Sequence, residues 1–397
     1  MKNKYRIGFT NQSTGLLFKE LVEDLSKEYF PSILYTGNNV EKLPAFIKEK
    51  LNIDVLNPYI RTSNIARLFS GLKYLTSLFI KILSNKFQLL FIVSNPPFIG
   101  LLGLLFKKIS NQRYVILVYD IYPDILISLD KIVEKNLMVR IWRKMNRKVY
   151  EESDAVITIG NVMKKVLENH FDPKKTLMGK VIAIPNCADP KSIMPIPKEK
   201  NNFSIKYNQI DKLTVMYSGN FGNSHSFKMI LDTAEKLKND NFINFFLIGE
   251  GAQKSNINAK IITEDLSNVV SLPWQKESIF VESIASSDIS LITMAIGSEN
   301  LMIPSKIYYS MAVGSALIGI AKKESELANI INDYDCGIII DPDNLNDLER
   351  AILKFKNDAS FLKKCQNNSY NAFKNNYTRL HMSKKYGELI NKILKHN

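Results

Sequence analysis

The sequence predicts an α/β protein made of two doubly wound domains that face each other across a cleft. Three observations lead there. At 397 residues the chain is longer than one hydrophobic core usually serves, so two domains are expected. Short continuous apolar runs such as Leu89–Val93 and Tyr114–Val118 suit strands buried on both faces of a parallel sheet. The runs alternate with amphipathic stretches, and the alternation restarts after a proline-bearing break, the pattern of two successive sets of βαβ units.

Taken in order, Lys4–Thr10 reads as a strand, Asn11–Gly15 as a polar turn, and the segment to about Tyr29 as an amphipathic helix. Ser32–Tyr35, Leu89–Val93, Tyr114–Val118, Ala155–Ile159 and Val181–Ile184 complete the first Rossmann-like domain, residues 1–190. Residues 191–211, with Pro195, Pro197 and a charged, Asn-rich patch, lose apolar periodicity and read as a linker. The second Rossmann-like domain, residues 212–374, opens with strand Leu213–Ser218 and helix Phe227–Asn239. It continues with strands Asn244–Ile248, Val269–Leu272, Ile289–Thr293, Ala316–Ile320 and Gly337–Ile340. Leu362–His396 reads as helical and polar, and residues 375–397 are expected to pack back on the first domain.

Composition narrows the function classes. Cys187, Cys336 and Cys365 are an odd number and far apart, which argues against a disulfide framework and points to a reducing compartment. The amino-terminal residues lack the apolar region of a signal peptide. The longest apolar run, Phe98–Phe106, is far short of the roughly 20 residues a spanning helix needs. The net charge of +14 is concentrated in residues 1–190, where 28 Lys and Arg face 17 Asp and Glu. Such a basic half suits an anionic membrane surface or simply a solvated lysine-rich exterior. Helix-turn-helix, zinc-finger and RNA-binding aromatic signatures are missing, so no nucleic-acid partner is expected.

Three segments carry candidate chemistry. Tyr217-Ser218-Gly219-Asn220-Phe221-Gly222-Asn223-Ser224-His225 places glycines between a strand and a helix. Backbone N–H groups in such a turn can approach a phosphate, or the turn can be merely tight. Ile248-Gly249-Glu250-Gly251 starts like a dinucleotide fingerprint, but Lys254 stands where the third glycine belongs, which rejects that cofactor. In Glu299 to Gly314 a carboxylate is followed by Pro304-Ser305 entering a helix and by Lys306 in its first turn. A cation there opposes the helix dipole, and a residue that violates local preference often serves a ligand. A pyrophosphate would explain Lys306. Ser305 can cap the helix or donate to phosphate, and Glu299 can accept from sugar hydroxyls. An ordinary capped helix with a solvated lysine is the structural alternative.

The last segment resembles the donor-binding signature of family 4 retaining glycosyltransferases, whose fold is GT-B. Their pattern is E-x7-E followed by M-A-x-G; Met311-Ala312-Val313-Gly314 matches its end and Glu299 its first glutamate. Pro304-Ser305-Lys306 followed by Tyr308 resembles the branch of bacterial fucosamine and capsule transferases. Gly219-Asn220-Phe221-Gly222, Ser94-Asn95-Pro96-Pro97, Tyr119-Asp120-Ile121-Tyr122-Pro123-Asp124 and Pro185-Asn186-Cys187-Ala188-Asp189 are similar to further elements of that branch, in order.

The resemblance implies roles. Glu299 would meet the donor sugar, while Ser305, Lys306, Pro304 and the Gly219, Asn220 and Gly222 turn would hold the diphosphate. Trp274, after Leu272-Pro273, falls near the uracil position. Asp120 would orient the acceptor hydroxyl or support charge on the reacting sugar. Asn11, Gly15, Asn95 and Tyr122 are the other acceptor-side candidates. The second glutamate, which holds the ribose, is replaced by Tyr309. The Arg and Lys usual after Gly222 are missing, leaving Lys306 and His225 as the cations. The implied reaction is retaining transfer of a hexosyl or N-acetylhexosaminyl group from a UDP-sugar to a saccharide or lipid-linked acceptor, in bacterial surface polysaccharide synthesis. No metal or cofactor is expected, since no D-x-D motif occurs.

Two basic amphipathic stretches, Asn64–Lys86 and the one bearing Arg140, Arg143, Lys144, Arg147 and Lys148, suit either an anionic lipid surface or core packing with a wet basic side. A cytoplasmic enzyme, peripheral on the inner membrane face, fits these features. A nucleotide-sugar 2-epimerase of the same fold is the enzymatic alternative, although only four histidines are present. A non-catalytic binding subunit is the other.

Overall fold

A computed structural model describes residues 5–37, 52–60, 62–170, 174, 176–222, 227–344 and 346–395. The chain divides into two compact units: residues 1–186 with 379–397, and residues 187–378.

The first unit holds a seven-stranded parallel sheet. Its strands are β1 (Ile7–Asn11), β2 (Ser32–Thr36), β3 (Asn52–Val55), β4 (Leu89–Val93), β5 (Tyr114–Val118), β6 (Ala155–Thr158) and β7 (Val181–Ala183), in the order β3-β2-β1-β4-β5-β6-β7. All residues of β1, β2, β4, β5 and β6 are buried, as expected for strands covered on both faces. Edge strand β3 is half-exposed and polar, so it lacks the apolar run by which the others are recognised. Phe9, Phe18 and Phe91 pack with ring centroids 5.1–6.1 Å apart, and Tyr386 of the Arg379–Lys395 helix adds its ring 5.8 Å from Phe91.

The second unit holds a six-stranded parallel sheet of β8 (Leu213–Ser218), β9 (Ile243–Ile248), β10 (Val269–Leu272), β11 (Ile289–Thr293), β12 (Ala316–Ile320) and β13 (Gly337–Ile340), ordered β10-β9-β8-β11-β12-β13. Both sheets reverse direction of winding once, between β1 and β4 and between β8 and β11. Ligands of doubly wound sheets bind beyond the carboxyl ends of the strands at such a switch point. The Gly219 turn follows β8 and the segment running to Lys306 follows β11, so both candidate donor segments start from that place.

Two expectations change. Residues 191–211 are not a free linker but part of the second unit. There the Lys198 ammonium is bound by the Asp288 carboxylate and by the Lys212 carbonyl at 2.6 Å, and Asn201 caps the Asn202–Lys206 helix. Prolines and charge had masked a segment held by specific polar contacts. The terminal helical stretch is two helices, Ala359–Asn376 and Arg379–Lys395. They break where Ala188 N–H donates to the Tyr377 carbonyl at 3.1 Å and Ala188 bridges Thr378. Beyond the break the chain belongs to the first unit.

Arg379 fastens that last helix. Its guanidinium donates to Asp24 at 2.6 and 2.8 Å and to Glu23 at 3.2 Å, with Glu20 at 3.6 Å. Burial raises the Glu23 pKa, but hydrogen bonds from Lys27 and Arg379 outweigh it and leave the group below its ordinary value. Removing one partner of a buried ion cluster typically costs about 3 kcal/mol, so Arg379→Ala should lower first-unit stability by that order in urea unfolding. Because the Glu23 pKa is depressed by folding, its contribution is present above the unfolded carboxylate pKa and fades as pH falls through and below that value. The wild-type advantage over Arg379→Ala should therefore shrink in acid; an unchanged urea midpoint at pH 7 would show that the cluster does not hold the helix.

Candidate active site

The second-unit site begins with two glycine turns pressed together. Gly249 and Gly251 follow β9 with φ of +149° and +153°. A Cβ on Gly249 would sit 1.9 Å from the Gly219 carbonyl oxygen, and one on Gly251 2.6 Å from the Phe221 carbonyl. Gly219 N–H donates to the Ile248 carbonyl at 2.9 Å and Phe221 N–H to the Glu250 carbonyl at 2.8 Å. The N–H groups of Gly219 and Phe221 are therefore committed to the fold, and the phosphate-cradle reading fails for these two donors. The turn instead brings its Cα close to a cation: a Cβ on Gly219 would lie 3.4 Å from Lys306 Nζ.

Lys254, noted in the sequence only as the residue displacing a third glycine, clamps this arrangement. Its Nζ donates to the Gly249 carbonyl at 3.1 Å and the Leu272 carbonyl at 2.8 Å, and lies 4.9 Å from the Phe221 ring centroid. Burial lowers its pKa. One lysine thus joins the ends of β9 and β10 beneath the Gly219 turn. Its position in the first turn of the Lys254–Thr263 helix, where a cation opposes the dipole, was the available signal.

Lys306 opens the Lys306–Ala312 helix. Its ammonium sits 3.7 Å from the centroid of the Tyr217 ring, a cation–π contact. It makes no hydrogen bond or ion pair among the described residues, and burial pulls its pKa down to about 7. Tyr217 is held in turn by donating to the Asn220 carbonyl at 2.8 Å. Ser305 does not cap the helix: it already has helical dihedrals (φ −59°, ψ −22°), and its side chain makes no cap bond. The first turn closes instead through Ile307 N–H to the Pro304 carbonyl and Tyr308 N–H to the Ser305 carbonyl, both 3.2 Å.

These groups line a cavity of about 460 Å³ that also receives Trp274 and Tyr309. The structure thus gathers Gly219, Asn220, Trp274, Pro304, Ser305, Lys306 and Tyr309 around one space. Tyr309 stands edge-on to Phe280 at 5.9 Å, and no carboxylate is among the lining residues. Gly222 and Glu299 are outside the lining. Gly222 is used locally, accepting from the Gln253 amide at 2.7 Å. Glu299 is 5% exposed and one carboxylate oxygen has no hydrogen-bond partner, a costly arrangement for a buried acceptor unless a ligand meets it. His225 lies outside the described residues.

The acceptor-side candidates divide. Asn11 is spent on its own turn, its side chain accepting from Ser13 N–H at 3.2 Å and its carbonyl from the Thr14 hydroxyl at 2.8 Å. Gly15 precedes the first helix with open space around it. The Asn95 carbonyl accepts from Gln12 N–H at 3.2 Å, tying the ends of β1 and β4. Asp120 and Tyr122 line one small pocket after β5. Burial raises the Asp120 carboxyl to about 6, and burial with the Asp120 charge pushes Tyr122 up to about 12. Tyr122 stacks on Trp142 at 5.9 Å and 5°, and Phe98, at a left-handed φ of +69°, packs on Trp142 at 4.5 Å. The basic stretch around Arg140 is largely paired. Arg143 binds Asp124 and Glu134, Arg147 binds Glu151, and Lys148 binds Glu152. No helix among the described residues is long and apolar enough to cross a membrane.

Comparison with known proteins bears on the whole chain. Residues 199–374, within the second unit, match the family model described as Glycosyl transferases group 1. A protein of Pseudomonas aeruginosa described as the glycosyltransferase WbjE is 22% identical over 87% of this chain and 86% of its own. WcaI of Escherichia coli (strain K12), described as a colanic acid biosynthesis glycosyl transferase, is 22% identical over 62% of this chain and 61% of its own. Among solved structures, Anabaena HepE in complex with UDP superposes with a TM-score of 0.74, at 11% identity, over 98% of this chain and all of its own. The two parallel-sheet units and this likeness give the chain the GT-B fold.

Two outcomes test the geometry. Gly249→Ala forces a methyl group into the Gly219 carbonyl and should destabilise the second unit by at least about 2 kcal/mol; an unaltered thermal midpoint would contradict the turn packing. Lys306→Met removes a charge that folding desolvates. Between pH 7 and the ordinary lysine value the unfolded chain binds the extra proton, so wild-type stability climbs with pH across that window. The Met variant should melt higher than wild type at pH 6–7, with the difference vanishing above about pH 10.5.

Proposed function

We propose that this chain, a glycosyltransferase whose residues 199–374 carry the group 1 domain, moves a hexosyl or N-acetylhexosaminyl group from a UDP-sugar to a saccharide or lipid-linked acceptor with retention. The observation that carries the reading is Lys306: a partly buried ammonium without an anionic partner among the described residues, at the mouth of the β8–β11 switch point, in a cavity lined by Ser305, Asn220 and the Gly219 turn. A diphosphate supplies the charge this lysine lacks. HepE in complex with UDP, and also with UDP-glucose, supports UDP as the nucleotide. WcaI's description supports a place in bacterial polysaccharide synthesis.

Each group then has work in the transfer. As the bond from sugar C1 to the phosphate oxygen breaks, charge builds on the diphosphate. Lys306, held over Tyr217, stabilises that charge from a position fixed beforehand, which is where electrostatic catalysis is strongest. No metal enters this scheme. The Ser305 hydroxyl, free of a capping duty, donates to the same phosphates. Trp274 and Tyr309 supply aromatic surface for the nucleoside, and Glu299, outside the cavity lining, would accept from a donor-sugar hydroxyl only where ligand binding brings the two together. Asp120, with its pKa near 6, is mostly ionised at neutral pH and orients the acceptor hydroxyl. That hydroxyl's oxygen bonds to C1 on the face the phosphate leaves, and its proton passes to the departing phosphate oxygen. The fucosamine and capsule branch is the specific relationship that Pro304-Ser305-Lys306 supports.

Titration calorimetry tests the proposal. A bound diphosphate restores the Lys306 pKa, so UDP binding at pH 8 should take up roughly one proton, seen as a dependence of the heat on buffer ionisation enthalpy. The uptake should disappear below pH 6, where the lysine is already charged. Lys306→Ala should weaken UDP by about 10–100-fold, as expected for a lost charged contact, and abolish the uptake. UDP binding that is absent, or equal in Lys306→Ala, would refute the assignment.

A further inference from the structure

In a nucleoside diphosphate the pentose is bonded to the α-phosphate on one side and to the base on the other. With the phosphates at Lys306 and Gly219, the pentose crosses the next turn of the Lys306–Ala312 helix. Residues three and four positions further along a helix share the face of the first. Those residues are Tyr309 and Ser310, and both line the cavity. Tyr309 meets Phe280 edge-on at 5.9 Å, so the base lies beyond the pentose, against Phe280 and Trp274.

A protein selects ribose over 2-deoxyribose by hydrogen bonding the 2′-hydroxyl, typically with a carboxylate. Among the described residues the cavity lining offers none. Residues 223–226, which follow the Gly219 turn, contain no acid either. A neutral partner discriminates strongly only when loss of the hydroxyl leaves it buried and unpaired. Of the lining hydroxyl and amide side chains, Tyr217 and Ser290 alone are buried. Both are already satisfied: Tyr217 donates to the Asn220 carbonyl at 2.8 Å, and Ser290 shares a hydrogen bond with the Ser287 hydroxyl at 3.2 Å. Ser218, Asn220, Ser305, Tyr309 and Ser310 are at least partly exposed, so water can stand in for a missing hydroxyl. Ser310 can also turn to the carbonyl one turn back, as helical serines do. At the base end, Phe280 and Ile284 lie one turn apart on the Glu277–Ala285 helix and both face the cavity. A methyl group on the base gains by burial against such a wall.

We propose that the donor cavity does not distinguish ribose from 2-deoxyribose, that Tyr309 is the residue responsible, and that the donor class includes deoxythymidine diphosphate sugars beside UDP-sugars. This rests on the reading that Lys306 meets the diphosphate. Tyr309 presents a neutral, partly wet face at the point where an acid would read the pentose hydroxyls.

Titration calorimetry of the full chain with UDP, deoxyuridine diphosphate (dUDP) and deoxythymidine diphosphate (dTDP) needs no knowledge of the sugar. UDP and dUDP should bind within about threefold of each other, since neither leaves a buried group unpaired. The added methyl group should make dTDP bind at least as tightly as dUDP. Tyr309→Glu should weaken all three, because the new carboxylate pairs with Lys306, yet favour UDP over dUDP by about tenfold or more. The ratio of the two affinities isolates the pentose, because both nucleotides carry the same diphosphate. Tyr309→Phe, which keeps the shape of the wall, should leave that ratio as in the wild type. A wild-type preference for UDP over dUDP of about tenfold or more overturns the proposal, as does dTDP weaker than dUDP by that factor. A Tyr309→Phe loss confined to UDP would show that the tyrosine hydroxyl reads the ribose, and overturns it too. An unchanged ratio in a folded Tyr309→Glu chain would place the pentose elsewhere and remove Tyr309 from the role. Failure of UDP itself to bind overturns the Lys306 reading together with this one; UDP binding without dUDP binding overturns this one alone.

Discussion

Everything assigned to the second unit depends on the contact between two main-chain turns. The carbonyl of Gly219 occupies the space a side chain at Gly249 would need, and Gly251 makes the same concession to Phe221. Two crossed hydrogen bonds and the Lys254 ammonium then lock the ends of β8, β9 and β10 into one rigid floor. Tyr217 leaves β8 at a fixed angle because of it, and its ring is the surface on which Lys306 rests. The glycines act at this site by letting backbone meet backbone; the charge for a ligand comes from a side chain.

That division of labour explains how a lysine can stand almost alone. Burial disfavours its charged form, and among the described residues no carboxylate or carbonyl bonds to it in compensation. The Tyr217 ring offsets part of the cost through its quadrupole without supplying a counter-charge. A carboxylate partner would have stabilised the folded chain more, but it would also have competed with any anionic ligand. Glu299, on the same segment, is buried with one carboxylate oxygen that meets no donor among the described residues. Two polar groups of one segment that break local preference are the pattern of a site organised around a ligand.

The sequence made the doubly wound class legible because the central strands are buried on both faces and so read as unbroken apolar runs; β4, β5, β8, β11 and β12 appear with their observed limits or within a residue of them. It hid β3, whose edge position permits Asn52 and Asp54. It hid the break at Tyr377–Thr378, which is made by a tertiary bond from Ala188. It also hid the ordering of residues 191–211, which rests on the Lys198–Asp288 pair 90 positions apart. At the site, the misplaced lysine at 306 was visible because it contradicts a local rule. The commitment of the Gly219 and Phe221 N–H groups was not, since their acceptors lie on another strand's turn. Lys254 contradicts the same local rule as Lys306, and beyond displacing the motif's third glycine it holds the motif's substitute together.

The replacement of a second glutamate by Tyr309 has a consequence for how the donor cavity works. Its lining offers hydroxyls, one amide, one ammonium and aromatic faces, and no acid. A carboxylate there would lie in the same sequestered space as Lys306 and pair with it, raising the lysine's pKa and spending its charge within the protein. Tyr309, braced edge-on by Phe280, gives shape and a neutral hydroxyl instead. The cavity therefore concentrates its electrostatic discrimination on one atom, Lys306 Nζ, and leaves the remainder of recognition to fit and stacking. In such a site the anionic part of a ligand sets the affinity, and its neutral part is selected by the walls.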